Sequence, residues 1–522
     1  MSTVADEPKA AIPGRPVLKV TQPSEIPDAG LDFQADVVII GSGASGAVTA
    51  YELSRSGAKV VVLEAGPYIP SSEFREHLPT AGETLYEENG NQVNTTGDLT
   101  ILQGKCIGGS TVINAAVCFR VPDQVLENWA EEHGLDNLSP EALAPYFERV
   151  ERNLSIHQNA PQEVNYNGRL LLEGAKKVGI PAAPTSRNIK DCALTGHCMS
   201  GCKTDRKQSM LVTYLPWASE LGATILSGTR AETFEISDRR VTAVNAIATD
   251  ASGKAKPVRI RAGLVVVAAG PVQTPLLFQK NKIGNSSGQV GLNFACHPSL
   301  AVLGEHEEDI YAWVGATISA HAGDIENPLE GGYLLEAGMV GPVATSGSWI
   351  DGGVGRDFVE FMENSKKMQA AVTLIHDHNV GRVYLDGDRK RIDYDLDDRD
   401  FESMREALRG TARIYFAAGA HRVYLPTTRR TTIESADQID SVIDSLTNGK
   451  HLYRMTAYHP QGTMRMGADP AKSVVGPDGL CHDLDNVYVP DASLFPSSLL
   501  VNPQVTVYTM ASYIADRILA RG

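Results

Sequence analysis

The sequence predicts an α/β protein: a mostly parallel sheet, assembled from distant parts of the chain, joined to a second domain of antiparallel sheet and helices. Three observations carry that expectation. Asp36-Val-Val-Ile-Ile-Gly41-Ser-Gly43-Ala-Ser-Gly46 sets an apolar, strand-like run directly before glycines at G-x-G-x-x-G spacing, and a second apolar run, Val60 to Leu63, ends on Glu64. Residues 223–269 hold several strand-like runs, the last of which closes on Gly270. Residues 300–450 change texture, with alternating patterns followed by a long helical one.

The first unit has the parts that a dinucleotide requires. Gly41 permits the tight turn out of the strand, and Gly43 lets backbone approach a pyrophosphate. Gly46 lets the helix pack closely, and Ser45 stands at a helix N-terminus whose free N–H groups favour phosphate. Glu64, eighteen residues after Gly46, can accept both hydroxyls of an adenosine ribose and disfavours a 2′-phosphate. The expectation is a Rossmann-type domain for FAD or NAD rather than NADP.

Composition narrows the class. With 522 residues, 42% hydrophobic and 21% charged, the chain suits a globular protein of two or more domains. A net charge of −16 argues against nucleic-acid and anionic-membrane partners. Residues 1–30 carry five prolines and no apolar core segment, and are expected to form a flexible N-terminal arm or surface strap. No secretory signal and no transmembrane run is evident. Seven cysteines are odd in number and sparse, which suggests a reduced, cytoplasmic protein.

Further along, a polar stretch at 67–103 leads to Gly104-Lys-Cys-Ile-Gly108-Gly109-Ser110-Thr111-Val-Ile-Asn114. Helices are expected over Gln124 to His133 and Ser139 to Glu151, the latter with Ser139 as N-cap and Pro140 in the first turn. Strands are expected at Ala223–Leu226, Ala231–Ser237, Val241–Thr249, Val258–Ala262 and Leu264–Ala269. Val372–Ile375, Val380–Leu385 and Arg391–Leu396 read as strands of one antiparallel sheet turning at Asp386-Gly387-Asp388. A helix over Phe401–Ala418, a short strand at Val487–Pro490 and a terminal helix over Val505–Ala520 complete the pattern. The expected division is an FAD-binding domain at 31–160, 216–300 and 451–522, with a substrate-binding domain at 161–215 and 301–450.

The second glycine cluster and the C-terminal segment give a specific resemblance. Together with Ala268-Ala-Gly-Pro-Val-Gln-Thr-Pro-Leu-Leu277, Val290-Gly-Leu-Asn-Phe-Ala-Cys-His-Pro298, His459-Pro-Gln-Gly-Thr-Met-Arg-Met-Gly467 and the run from Val489 to Thr506, they stand in the order found in glucose–methanol–choline (GMC) flavin oxidoreductases. The texture around Gly196-His-Cys-Met-Ser-Gly-Cys-Lys203 resembles the branch of long-chain alcohol oxidases and related bacterial alcohol dehydrogenases. The resemblance implies FAD-dependent oxidation of an alcohol, with hydride transferred to flavin N5 and the hydroxyl proton taken by a side chain.

His459 is the implied base, and Asn502 the implied amide partner at the substrate oxygen. Gly104, Gly108, Gly109, Ser110 and Asn114 should line the pyrophosphate and flavin ring, and Asp491 with Ala492 the ribityl–phosphate region. The Pro503-Gln504-Val505 helix start should favour negative charge on reduced flavin. Where many relatives place Asp before the His of the fourth motif, this chain has Cys296, so His297 is expected to be structural. Members with covalent flavin carry a His at or just after the second glycine cluster; Thr111, Val112 and Ile113 stand there, so the FAD is expected to be non-covalent.

Cys192, Cys198 and Cys202 have a spacing also found in sugar dehydrogenases that carry an iron–sulfur cluster. Structural thiols are the expectation, and zinc with His197 is weaker still. The substrate is expected to be a lipophilic alcohol, with Val354–Met368 as a gating segment; a sugar or glycoside is the alternative, and a GMC-fold lyase the non-redox one. The expected acceptor is O₂ or a quinone or cytochrome.

Overall fold

The computed structural model describes residues 16–338, 355–378, 380–427, 431–448 and 455–521. Its centre is a seven-stranded sheet in the order Thr224–Leu226, Val60–Leu63, Leu31–Ile40, Ala255–Val267, Arg240–Thr249 and Thr229–Ser237, with Val487–Tyr488 paired to Ala255–Val267. Leu31–Ile40 runs parallel to both Val60–Leu63 and Ala255–Val267. The helix Ala44–Ser54 crosses between the first two strands and is almost wholly buried.

Two expected strands, Val258–Ala262 and Leu264–Ala269, are one, Ala255–Val267. Its burial alternates along the first part, where it pairs antiparallel with Arg240–Thr249. It becomes continuous at Val265–Val267, where Val487–Tyr488 lies parallel beside it. The change in hydrophobic pattern marks a strand passing from a one-sided to a two-sided environment, not a break.

A nine-stranded sheet forms the second layer. Its order is Thr431–Ile433, Arg422–Leu425, Ser299–Glu305, Met368–Ile375, Tyr333–Ala337, Ala320–Ala322 and Ala182–Pro184. Met455–Ala457 pairs beside Ser299–Glu305, and Leu99–Ile101 pairs with Met455–Ala457. Helices Tyr166–Val178 and Asp398–Ala418 cover this sheet, and a Cβ on Gly174 would stand 2.3 Å from Ile414 O, so glycine permits their close approach. Residues 368–375, 381–386 and 389–393 do not form one sheet as expected. Met368–Ile375 belongs to the nine-stranded sheet, whereas Gly381–Asp386 and Arg389–Asp393 make a hairpin that adds Leu292–Phe294. The period-2 pattern identified strands but carried no information on their partners.

The helix at Pro140–Asn153 starts as expected, with Ser139 Oγ accepting the Ala142 N–H at 3.2 Å. Of the N-terminal arm, residues 1–15 lie outside the described residues. The rest is a strap and not a flexible arm: Ile26 is buried, and buried Lys256 donates to Pro23 O at 2.8 Å and to Ile26 O. Among the described residues no helix is long and apolar enough to cross a membrane.

Candidate active site

A cavity of about 1090 Å³ runs from the first glycine turn to the floor of the nine-stranded sheet. At one end the wall is built from glycines that admit no side chain. A Cβ on Gly109 would stand 2.8 Å from Gly43 Cα, and one on Gly104 would stand 2.6 Å from Gly109 C, so these segments meet backbone to backbone. Gly46 acts behind the wall, since a Cβ there would sit 2.0 Å from Gly41 O. Gly108 likewise packs inward, against Val112 and Leu211.

Glu64 is buried at this end and held by three donors. Ser42 N and Ser42 Oγ reach one oxygen at 3.0 and 2.7 Å, and Gly66 N reaches the other at 2.8 Å. Burial pushes its pKa up, opposed by those hydrogen bonds. Asp491 accepts from Gly270 N at 2.8 Å, Thr274 Oγ1 at 2.7 Å and Ser493 N at 2.8 Å, which ties the C-terminal segment to the turn after Ala255–Val267. Asn114 donates to Gln504 Oε1 at 2.9 Å, linking the second glycine cluster to the start of helix Gln504–Arg521. Ser45, Ser110, Ala492 and Pro503 also line the cavity, whereas the Val505 side chain is in the core.

At the far end stand His459 and Asn502, both nearly buried, with His459 Nε2 3.2 Å from Asn502 Nδ2. His459 follows strand Met455–Ala457, and Asn502 precedes the terminal helix. Burial pushes the His459 pKa down to about 3. The segment after His459 pairs with the one before His297: Gln461 N donates to Ala295 O at 2.8 Å, and Ala295 N to Gln461 O at 3.1 Å. That pairing sets His297 Nδ1 3.2 Å from His459 Nδ1.

His297 holds a positive φ of 48°, a conformation costly for a side chain with a Cβ. Asp377 holds it there by accepting from Cys296 N at 2.7 Å and His297 N at 3.2 Å, and is itself fixed by Ser498 Oγ at 2.6 Å. His297 therefore supports His459 from behind and does not line the cavity.

Sequence reasoning missed Glu336, Asp377 and Gln461. The cavity floor is one face of the nine-stranded sheet: Ser299 and Ala301 on one strand, Val372 on the next, and Glu336 with Gly338 on and just beyond the third. Glu336 is a carboxylate on this face, 3% exposed; burial raises its pKa to about 7, opposed by the neighbouring Asn502 amide. A lone Glu in an apolar strand reads as alternation, and only strand order reveals where it points. Among the described residues none of 355–368, the expected gate, lines the cavity; Val354 lies outside the described residues.

Comparison with known proteins decides the family. Family models described as GMC oxidoreductase match residues 82–299 and 377–511, and one for an NAD(P)-binding Rossmann-like domain matches 39–78. An uncharacterized GMC-type oxidoreductase of Mycobacterium tuberculosis is 32% identical over 94% of this chain and 76% of its own length. The chain belongs to the GMC oxidoreductase family.

A long-chain-alcohol oxidase of Arabidopsis thaliana is 27% identical over 93% of this chain and 68% of its own. Choline oxidase of Arthrobacter globiformis is 25% identical over 93% and 94%. Among solved structures, pyridoxine 4-oxidase from Mesorbium loti shares the fold with a TM-score of 0.70 at 21% identity, covering 93% of this chain and 99% of that one.

As a GMC oxidoreductase the protein is an FAD-dependent enzyme acting on CH–OH donors. The residues present fit that cofactor. The Gly43–Gly109 approach leaves a side-chain-free cradle, and the buried Glu64 carboxylate is fixed at its rim. Thr111 Oγ1 is engaged with Gly108 O at 2.6 Å, and Val112 and Ile113 are buried, so this segment offers no imidazole for a covalent link. Acid precipitation of the yellow protein is expected to release all its FAD, and flavin left in the pellet would contradict this.

Cys198 and Cys202 each have a protein partner. Cys198 Sγ faces Arg187 Nη2 at 3.8 Å, whereas Cys202 Sγ accepts the Lys207 N–H at 3.4 Å. All seven cysteines are free, and among the described residues no three His, Cys, Asp or Glu side chains converge as metal ligands. Iron analysis of purified protein is expected near zero. About three irons per chain, with absorbance beyond the flavin band, would restore a cluster and an electron-transfer role.

Proposed function

We propose that this GMC enzyme oxidises a lipophilic primary or secondary alcohol to the aldehyde or ketone, with the reacting carbinol held between His459, Asn502 and the flavin. The observation that carries this reading is the His459–Asn502 pair, 3.2 Å apart in the same cavity that the glycine cradle lines. FAD, when bound, supplies the hydride acceptor. The chain's own residues grip the hydroxyl, exclude water and receive its proton.

The floor around the pair is largely small or apolar, with Ala301, Ile318, Val372 and Pro426 among its lining residues, which suits an alkyl or ring substituent better than a sugar. The long-chain-alcohol oxidase relatives point the same way, and their names favour O₂ as the acceptor. The division into an FAD-binding part (31–160, 216–300, 451–522) and a substrate-binding part (161–215, 301–450) belongs to this proposal. So does a cytoplasmic location, supported by seven free cysteines.

Stopped-flow bleaching of the flavin by alkanols, aryl alcohols, sterols and glucosides, with and without O₂, tests it. Bleaching by alkanols or sterols and reoxidation by O₂ are expected. Bleaching by glucosides alone would replace the lipophilic reading.

A further inference from the structure

A second pair of imidazoles lies outside the cavity, where the chain leaves strand Met368–Ile375. His376 and His378 stand two residues apart, and their rings meet at a centroid separation of 4.6 Å with a tilt of 55°. Asp377, between them, faces the other way, toward Cys296, His297 and Ser498. Alternate residues of an extended chain share a side, so the two imidazoles converge.

Their nitrogens are not satisfied by the protein. His376 Nδ1, His376 Nε2 and His378 Nε2 are buried and have no hydrogen-bond partner. The remaining one, His378 Nδ1, lies 2.9 Å from Asp400 Oδ1. That oxygen also accepts the His378 backbone N–H at 2.9 Å, so it is an acceptor and Nδ1 carries the proton. In the neutral ring Nε2 then keeps its lone pair. Buried polar atoms without a partner are rare in native folds, and a cluster of them calls for an ion or ordered water.

The chemistry of the pair favours an ion. A metal-ligating histidine commonly donates its other ring N–H to a carboxylate, which fixes the tautomer and the ring orientation; Asp400 does this for His378. Two imidazoles that share one ion at about 2 Å have centroids roughly 4.5 to 5 Å apart, and the observed rings match that spacing. Burial, then the neighbouring His378, push the His376 pKa down to about 3, against the pull of Asp400 and of its own carbonyl. Its ring is therefore neutral at pH 7, as a ligand must be. Arg399 also faces His376, but it is exposed and solvent screens it, whereas the Asp400 side chain is fully buried. The His378 side chain is 17% exposed, which gives an ion a way in.

We infer that His376 and His378 form a binding site for a first-row divalent transition ion of the imidazole-preferring kind, with water completing its coordination and Asp400 orienting His378 from behind. The site has two protein ligands and stands apart from the flavin cavity, so it does not depend on the alcohol reading. It flanks Asp377, which fixes the backbone of His297, and an ion there would grip the chain end from which that support comes.

Two measurements on tag-free, FAD-loaded enzyme test this. In calorimetric titration with Ni²⁺, about one ion per chain is expected to bind. His378→Ala and His376→Gln should each abolish that binding, while His421→Ala at an exposed imidazole and Cys202→Ser at a part-exposed thiol should retain it. In ¹⁵N-histidine-labelled wild-type protein, Zn²⁺ is expected to move the ring nitrogens of His376 and His378 and to leave those of His459 in place. This second measurement needs no variant to fold. An absence of Ni²⁺ binding, or equal binding by His378→Ala, overturns the inference and leaves water at the three nitrogens. Zn²⁺ shifts confined to other histidines overturn it as well.

Discussion

Replacing His459 by alanine is expected to slow flavin reduction by a factor on the order of 10² to 10⁴, the range spanned by a positioned proton-transfer group and by a donor aimed at developing charge. The site explains why the loss should be large. His459 is nearly buried, so no bulk water stands ready to replace it, and its ring is oriented by a chain through His297 to the backbone of Leu499. FAD content should stay at the wild-type level, since the ring lies at the opposite end of the cavity from Gly43 and Glu64. Asn502→Ala should also slow reduction. The double variant should cost less than the product of the two, because both side chains act on one oxygen and hydrogen-bond each other at 3.2 Å. Anaerobic stopped-flow traces of the three variants check this. A His459→Ala enzyme reduced at the wild-type rate removes His459 from the chemistry.

The dinucleotide unit was legible in the sequence because its constraints are local. Gly41 has a φ of 105° that few other residues accept, and Gly46 must lack a Cβ because the turn carbonyl is 2.0 Å from where it would stand. Those requirements act within a few residues, so spacing reports them. The roles of His459 and Asn502 came from resemblance, since nothing in their own neighbourhoods distinguishes a reacting imidazole from a packed one.

His297 was expected to be structural, but its contact with His459, like the place of Glu336 on the cavity floor, was not legible, for a physical reason. Each acquires its surroundings from pairings over long sequence distances: Glu336 from strands at 320–322 and 368–375, His297 from the bridge between Ala295 and Gln461. Hydrophobic periodicity predicts that a segment is a strand and which residues share a face, but not which strand lies beside it. The same gap misplaced Met368–Ile375 in the sheet of its sequence neighbours.

Lys207→Met is expected to cost the protein both its flavin and several kcal/mol of stability. The Lys207 side chain is fully buried, and its Nζ donates to three carbonyls: Val112 O at 2.7 Å, Asn114 O at 2.8 Å and Cys198 O at 2.8 Å. It thus ties the loop of Cys198 to the segment that carries Ser110 and Asn114 along the cavity wall. Methionine fills a similar volume but leaves three buried acceptors without a donor. At about 1–3 kcal/mol for each unsatisfied group, the total is a large share of a domain's stability.

The pH dependence has a definite sign. Burial lowers the Lys207 pKa from 10.5 to about 8, so the folded state binds fewer protons than the unfolded chain between those values. Wild-type stability should therefore rise with pH across that window relative to the methionine variant, which has no group to titrate. Flavin retained after dialysis and thermal midpoints at pH 7 and 9 measure both effects, with exposed Lys203→Met as the control. Full FAD content and an unchanged midpoint in Lys207→Met would show that water replaces the ammonium at those three carbonyls.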